Sequence, residues 1–353
     1  MNNGKTHPVP LMSARNRLNT IAGRRILILD GAMGSMIQSR KFSEADFRGE
    51  RFKDHSRPLA GCNDLLCLTK PQAVSEIHEA YLAAGADIIE TCSFNSTSVS
   101  LAEYGIGSLA YEISAAAAAL ARAAADKYSA ADKPRFVAGS MGPTAKSASL
   151  SLGMDDSDEN FTEELETAYY DNARGLLDGG ADILIIETVY DMLNAKAALL
   201  AIERLQKELQ AAGGSRDADS GIPVIVSATI SDNSGRLLSG QNPEAFCAAL
   251  LQAQPWALGL NCSFGADTLL PHLRKLAAAA PCLTSAHPNA GLPNDSGQYD
   301  ETPEKMAASI EEYFKSGVVN IIGGCCGTTP RHIAAIAEIA LKYTPRRPGA
   351  ASN

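Results

Sequence analysis

Eight short apolar runs, at residues 26–30, 86–91, 135–140, 181–188, 223–229, 257–262, 282–287 and 319–325, recur along the whole chain. None alternates apolar with polar residues, which is the pattern of strands covered on both faces in a parallel sheet. Stretches of helical character separate them, at roughly 71–84, 109–127, 161–179, 193–211, 243–253, 266–279, 303–316 and 330–342. Eight strands alternating with eight helices predict an α/β fold, a single (β/α)8 TIM-type barrel. A doubly wound open sheet is the alternative, disfavoured because no G-x-G-x-x-G turn follows the first run. On length alone 353 residues would suit two domains, but one barrel of this kind commonly takes about 250 residues or more. An internal echo agrees: Gly85-Ala86-Asp87-Ile88-Ile89-Glu90-Thr91 returns as Gly180-Ala181-Asp182-Ile183-Leu184-Ile185-Ile186-Glu187-Thr188. Each copy reads as a helix closed by glycine, then a strand ending in Glu-Thr.

The barrel is expected over 25–343. Residues 1–24 read as a mobile arm with at most one short helix, and 344–353 as a polar, proline-rich tail. The connection 31–70 is long for a compact domain and is expected to cover part of the barrel's mouth. With 31 basic against 40 acidic residues the net charge is −9, and no basic run is present, which argues against nucleic acid as a partner. No window approaches 18 uninterrupted apolar residues and the start lacks the layout of a secretory signal, so a cytoplasmic protein without membrane contact is expected. Eight cysteines are too few for a disulfide scaffold in a chain of this length. In a reducing compartment they remain thiols, available to a metal.

Active sites of such barrels lie at the C-terminal ends of the strands, so the residues just beyond each run are informative. The last run ends Gly323-Gly324-Cys325-Cys326-Gly327, and Cys262 closes the sixth. Adjacent side chains on a strand point to opposite faces, and the glycines allow the turn that would bring both thiols to one ion. Three thiolates from two strand ends describe a zinc site with a coordination position left over. A vicinal disulfide, or plain burial, is the competing reading. Cys62, Cys67, Cys247 and Cys282 read as small core hydrophobes. Asp30 and Glu187 are carboxylates suited to an ammonium group, and the backbone amides of Gly31 and Ala32 suit a carboxylate, together suggesting an amino-acid substrate. The bland alternative for each acid is an ion pair with a lysine or arginine inside the barrel. His287, the only histidine at a strand end, reads as structural.

The chain resembles the homocysteine S-methyltransferase family, and within it the homocysteine-binding module of cobalamin-dependent methionine synthase. The strings that carry the resemblance are LDGAMGSMIQ (29–38), EADFRGERF (44–52), GADIIET (85–91), FNST (94–97), GPT (142–144), IETVYDMLNAKAA (186–198), LSGQ (238–241), GLNC (259–262), AHPNAGLPN (286–294) and GGCCGTTP (323–330). The resemblance implies a (β/α)8 barrel holding zinc through Cys262, Cys325 and Cys326. It places homocysteine's amino and carboxylate groups near Asp30, Gly31, Ala32, Ser140 and Glu187. Ala32 and Cys92 depart from the Gly and Asn common in the family at those positions. The activity it implies is methyl transfer to homocysteine, giving methionine. No D-x-H-x-x-G cobalamin motif is present, so the expected donor is methylcobalamin held by a separate cobalamin- and folate-binding partner chain. A self-contained enzyme using a sulfonium donor such as S-methylmethionine is the alternative, and a non-catalytic zinc-binding subunit a third. A free thiol is only a few per cent ionised at neutral pH and a thiol on zinc is fully so. That difference is worth about 2 kcal/mol at roughly 1.36 per pKa unit, leaving the larger part of rate acceleration to positioning.

Overall fold

The computed structural model describes residues 14–144, 159–212 and 221–349. Its strands are β1 (Leu27–Ile28), β2 (Ile88–Glu90), β3 (Phe136–Met141), β4 (Ile183–Val189), β5 (Val224–Ala228), β6 (Ala257–Gly265), β7 (Leu283–Asn289) and β8 (Ile321–Ile322). They form one parallel sheet in the order β1-β8-β7-β6-β5-β4-β3-β2. The two ends of that order meet: Leu29 bridges Ile88 in parallel, Asp87 N–H donates to the Ile28 carbonyl at 2.7 Å, and Asp30 N–H donates to the Ile88 carbonyl at 3.0 Å. The sheet is therefore a closed barrel and the open-sheet alternative is excluded. Helices Pro71–Ala83, Ala110–Tyr128, Glu159–Asp178, Met192–Ala211, Pro243–Leu250, Ala266–Ala279, Pro303–Lys315 and Pro330–Ala340 surround it.

Strand alternation sorts the core into two layers. Leu27, Leu29, Ile88, Phe136, Ala138, Ile183, Ile185, Ile225, Ala257 and Ile321 point inward and fill the lower barrel. Their neighbours Ile28, Ile89, Val137, Leu184, Val226, Leu258 and Ile322 point outward beneath the helices. Each large side chain so buried contributes roughly 1.5–3 kcal/mol. Local signals agree with the elements: Asn242 and Thr302 cap helices whose first residue is proline, as that position favours. Gly85 and Gly180, the echoed glycines, both take positive φ, at 111° and 103°, where a side chain would be strained.

The segments on either side of the barrel pack against it where they are described. Residues 14–22 form the one short helix expected within the N-terminal segment, with Leu18 and Ala22 buried in the cluster that fills the barrel's lower interior. Trp256 Nε1 donates to Asn19 Oδ1 at 2.7 Å and fixes this plug; residues 1–13 lie outside the described ones. The tail is also anchored as far as it is described. Arg346 is buried, donating to the carbonyls of Ala277, Ala280 and Cys282 at 2.6, 2.6 and 2.8 Å. The guanidinium fork satisfies carbonyls left open where helix Ala266–Ala279 ends. Residues 31–70 carry helices of their own, Met33–Ser39, Glu44–Arg48 and Leu66–Thr69. There the Glu44 carboxylate takes the Leu59 and Ala60 amides at 2.9 and 2.7 Å.

Candidate metal and substrate site

Strand β6 leaves extended geometry at its end. Cys262 and Ser263 have φ of 60° and 61°, and the β6–β7 register shifts between Asn261 and Gly265. Such left-handed residues other than glycine carry strain that the surroundings must hold in place. Buried Asn261 is the clasp. Its Oδ1 accepts from Thr188 N at 3.0 Å and Ser227 Oγ at 2.7 Å, its Nδ2 donates to Thr188 Oγ1 at 2.9 Å, and its carbonyl accepts from Thr229 Oγ1 at 2.7 Å. One amide thus ties the ends of β4, β5 and β6 and aims Cys262. Just beyond β8, Gly324 N–H donates to the Asp30 carbonyl at 3.0 Å and Cys325 N–H to the Pro288 carbonyl at 2.8 Å, while the Cys326 carbonyl accepts from Ala290 N–H at 2.9 Å. Gly327, with φ of 79°, lies flush against the Tyr299 ring, where a Cβ would approach Tyr299 Cβ to 2.2 Å.

These two turns bring the three thiols together. Cys262 Sγ lies 3.8 Å from Cys326 Sγ, which lies 4.0 Å from Cys325 Sγ, and all three sulfurs fall within 4.8 Å of one another. They are free thiols, far beyond the bonding length of about 2.05 Å, so the vicinal disulfide is not the form present. A tetrahedron with zinc–sulfur bonds of about 2.3 Å has sulfur–sulfur edges of about 3.8 Å. The trio fits such an ion with one corner left over. Bonding among the sulfurs sets them apart: Cys326 is pulled down to about 3 by S–H donation from Cys262 and Cys325, with the Tyr299 hydroxyl adding. Cys325, a donor in that arrangement, is pushed up. At Cys262 the contact with Cys325 pulls down, but bonding to Cys326 and burial outweigh it, giving about 11. A dication held there would supply the charge that lets all three ionise.

Beside the trio lie three carboxyls. Buried Asp30 accepts the Glu90 N–H at 3.1 Å on each oxygen. Buried Glu187 accepts from Ser140 Oγ at 2.5 Å, and burial raises it to about 7. Burial and the charges of Glu187 and Asp30 raise Glu90, whose Oε1 is sealed from solvent with no hydrogen-bond partner. Among the described residues no lysine or arginine contributes to the surroundings of any of the three, and none supplies the ion pair weighed as the alternative for Asp30 and Glu187. Of the two amides expected to face a carboxylate, Ala32 N–H already donates to Thr328 Oγ1 at 3.0 Å. Gly31 is thereby left as the amide of that pair still available. His287 is buried, kept neutral by a fall to about 3 on burial, and stands apart from the thiol cluster.

Sequence reasoning gives no role to Asn261, Glu90, Thr328 or Tyr299. Glu90 has a signal in the echoed Glu-Thr strand end and Thr328 in the string after the paired cysteines; Asn261 and Tyr299 have none beyond their neighbourhood. Cys62, Cys67 and Cys92 form a second, buried group just beyond the end of β2. Cys67 Sγ contacts the Cys92 carbonyl at 3.3 Å and Cys92 Sγ the Asn63 carbonyl at 3.6 Å. Cys92 is thus packed away rather than crowding the opening.

A closed (β/α)8 barrel with three converging thiols beyond the ends of β6 and β8 defines a class of barrels whose mouth carries a cysteine cluster that could hold a metal. Residues 27–340 match the homocysteine S-methyltransferase family, and the chain belongs to it. Among solved structures it is similar to the homocysteine methyltransferase MmuM from Escherichia coli. The metallated form gives a TM-score of 0.67 at 24% identity, covering 91% of this chain and 98% of that one. The apo form gives 0.62 at 23% identity, covering 90% and 97%. These likenesses extend the barrel assignment over nearly the whole of both chains.

Proposed function

We propose that the protein transfers a methyl group to the sulfur of homocysteine, giving methionine, with zinc held by Cys262, Cys325 and Cys326. It acts as the homocysteine-activating module of a split cobalamin-dependent methionine synthase, with methylcobalamin carried by a partner chain. The observation that carries this reading is the thiol trio, with its sulfurs within 4.8 Å, standing beside three carboxyls that have no cationic partner among the described residues. One end of the mouth calls for a metal and a sulfur, the other for an ammonium. Homocysteine is an amino acid that offers both.

The chain's own residues position the substrate. Asp30 and Glu187 take the ammonium, with Ser140 holding Glu187 in place, and the Gly31 amide faces the substrate carboxylate. The Asn261 clasp and the glycine turn of β8 fix the sulfurs before substrate arrives, so little reorganisation accompanies binding. When bound, zinc supplies the positive charge that keeps the substrate's sulfur ionised and nucleophilic at neutral pH. Holding that sulfur in line with a methyl group is the larger contribution, of order several kcal/mol. The strings at 44–52 and 286–294 favour the synthase branch. Free thiols throughout agree with a cytoplasmic setting, and no helix among the described residues is long and apolar enough to cross a membrane.

Zinc-edge X-ray absorption with and without homocysteine tests the site: a new sulfur should enter the coordination sphere, and an unchanged sphere would reduce the protein to a zinc-binding subunit. Assays with free methylcobalamin and with S-methylmethionine then test the donor. Turnover with S-methylmethionine alone would replace the split-synthase reading with that of a self-contained enzyme.

A further inference from the structure

We propose that Glu90 is a substrate-binding residue, the third side of a seat for the substrate's α-ammonium and the side with an uncommitted acceptor. This rests on the reading of the mouth as an amino-acid site and deepens it. Ile88, Ala138 and Ile185 point into the barrel, and Glu90, Ser140 and Glu187 stand two residues further along the same strands. Side chains two apart share a face, so these three point inward too, one level above the apolar filling.

The hydrogen bonds separate the roles of the acids. Both oxygens of Asp30 are engaged by the backbone amide of residue 90, and Oε1 of Glu187 by Ser140. Glu90 Oε1 has no partner, although it is sealed from solvent. A sealed acceptor without a donor is costly, typically about 1–3 kcal/mol and more when charged. The three acids also feel one another's charge, with no basic side chain between them among the described residues. What relieves both penalties is a small cation with several donors. An ammonium has three N–H groups, one for each carboxyl. The Glu90 backbone positions Asp30 while its side chain completes the seat.

The test compares homocysteine with 4-mercaptobutanoate, which keeps the thiol and the carboxylate and lacks the amino group. Binding is read on cobalt-substituted protein from the absorption change as a thiol reaches the metal, so the readout does not depend on turnover. In Glu90→Gln, metal content should be unchanged and homocysteine should bind at least about tenfold more weakly, the lower end of what a hydrogen bond to a charged group contributes. Binding of 4-mercaptobutanoate should stay within about twofold. Equal weakening of both ligands, or of neither, would overturn the role of Glu90. Asp30→Asn and Glu187→Gln, run in parallel, locate the failure: if they discriminate between the ligands and Glu90→Gln does not, only this proposal falls. If none of the three discriminates, the amino-acid reading of the mouth falls with it. Glu90→Asp, which keeps the charge and withdraws the oxygen, carries the same comparison should Glu90→Gln fail to fold.

Discussion

Six of the eight cysteines fall in two groups of three, and among the described residues only one group brings its sulfurs close enough to hold a metal. Cys262, Cys325 and Cys326 are half-buried and converge to within 4.8 Å. Cys62, Cys67 and Cys92 are fully buried, and two of their thiols are turned onto backbone carbonyls. Residue type is the same in both groups; the backbone differs. At the first, Cys262 in a left-handed conformation and the glycines flanking Cys325 and Cys326 redirect side chains that regular strand geometry would scatter. At the second, Cys67 sits in a regular helical turn, and burial drives Cys62 up to about 12, disfavouring the thiolate a metal requires. A cluster able to hold a metal is therefore made by irregular backbone at strand ends more than by the presence of sulfur.

The sharpest way to break that comparison is to remove one sulfur from each group. Cys325→Ser should abolish zinc retention and homocysteine methylation, because two thiolates do not hold a catalytic zinc against competing water. Cys92→Ser should retain one zinc per chain. Metal analysis after gel filtration against a weak chelator reads both, and zinc kept by the first variant or lost by the second would erase the distinction between the groups.

Acid should strike the wall beside the second group. His78, on helix Pro71–Ala83, is fully buried with neither ring nitrogen hydrogen-bonded, and burial depresses it to about 4. An unfolded histidine titrates near 6.5, so between about pH 6.5 and 4 the unfolded chain binds the proton more readily. Stability is full above that range and falls as pH drops through it, by up to about 3 kcal/mol from this one group at roughly 1.36 per unit. His287, depressed for the same reason, adds with the same sign. Urea midpoints at pH 7 and 4.5 should shift less in His78→Leu than in the wild type, and an equal shift would remove His78 from the account.

Asn261→Ala sharpens the comparison from the other side, since it leaves every sulfur in place and removes the clasp that holds β6 in its bend. Loss of such a supporting hydrogen-bond partner typically weakens metal affinity about 10- to 100-fold. Competition with a chromophoric chelator would show it, and an unchanged affinity would mean that the strained Cys262 conformation is held by the register shift alone.

The range of each interaction decides how far the sequence reveals it. The barrel is readable because strands covered on both faces leave unbroken apolar runs, and because Gly85 and Gly180 mark helix ends by local conformation. The thiol trio is readable as residues at strand ends, but the choice between a metal site and a disulfide needs the sulfur distances. The plug escapes notice because Leu18 and Ala22 bury only one narrow face of an otherwise polar segment. Arg346 escapes because its partners, the carbonyls of residues 277, 280 and 282, have no sequence signature. The Ala32 amide reads as free for substrate because nothing near it in sequence shows that Thr328, 296 residues away, already occupies it.

The smallest effect concerns the second group alone. Cys67 is 3% exposed and packs in the cluster that joins the first connection to β2. Cys67→Ala removes one sulfur's worth of buried surface and a weak S–H donor. At about 0.8 kcal/mol for a buried group of methylene size, with a small cavity term added, the loss of stability should be about 1 kcal/mol, with the denaturant slope unchanged. Zinc content and homocysteine binding should match the wild type, because no bond from Cys67 reaches the thiol trio or the three carboxyls. A much larger loss accompanied by falling zinc content would mean that the two groups are mechanically joined through the mouth, and that the buried sulfurs help to position the metal site from behind.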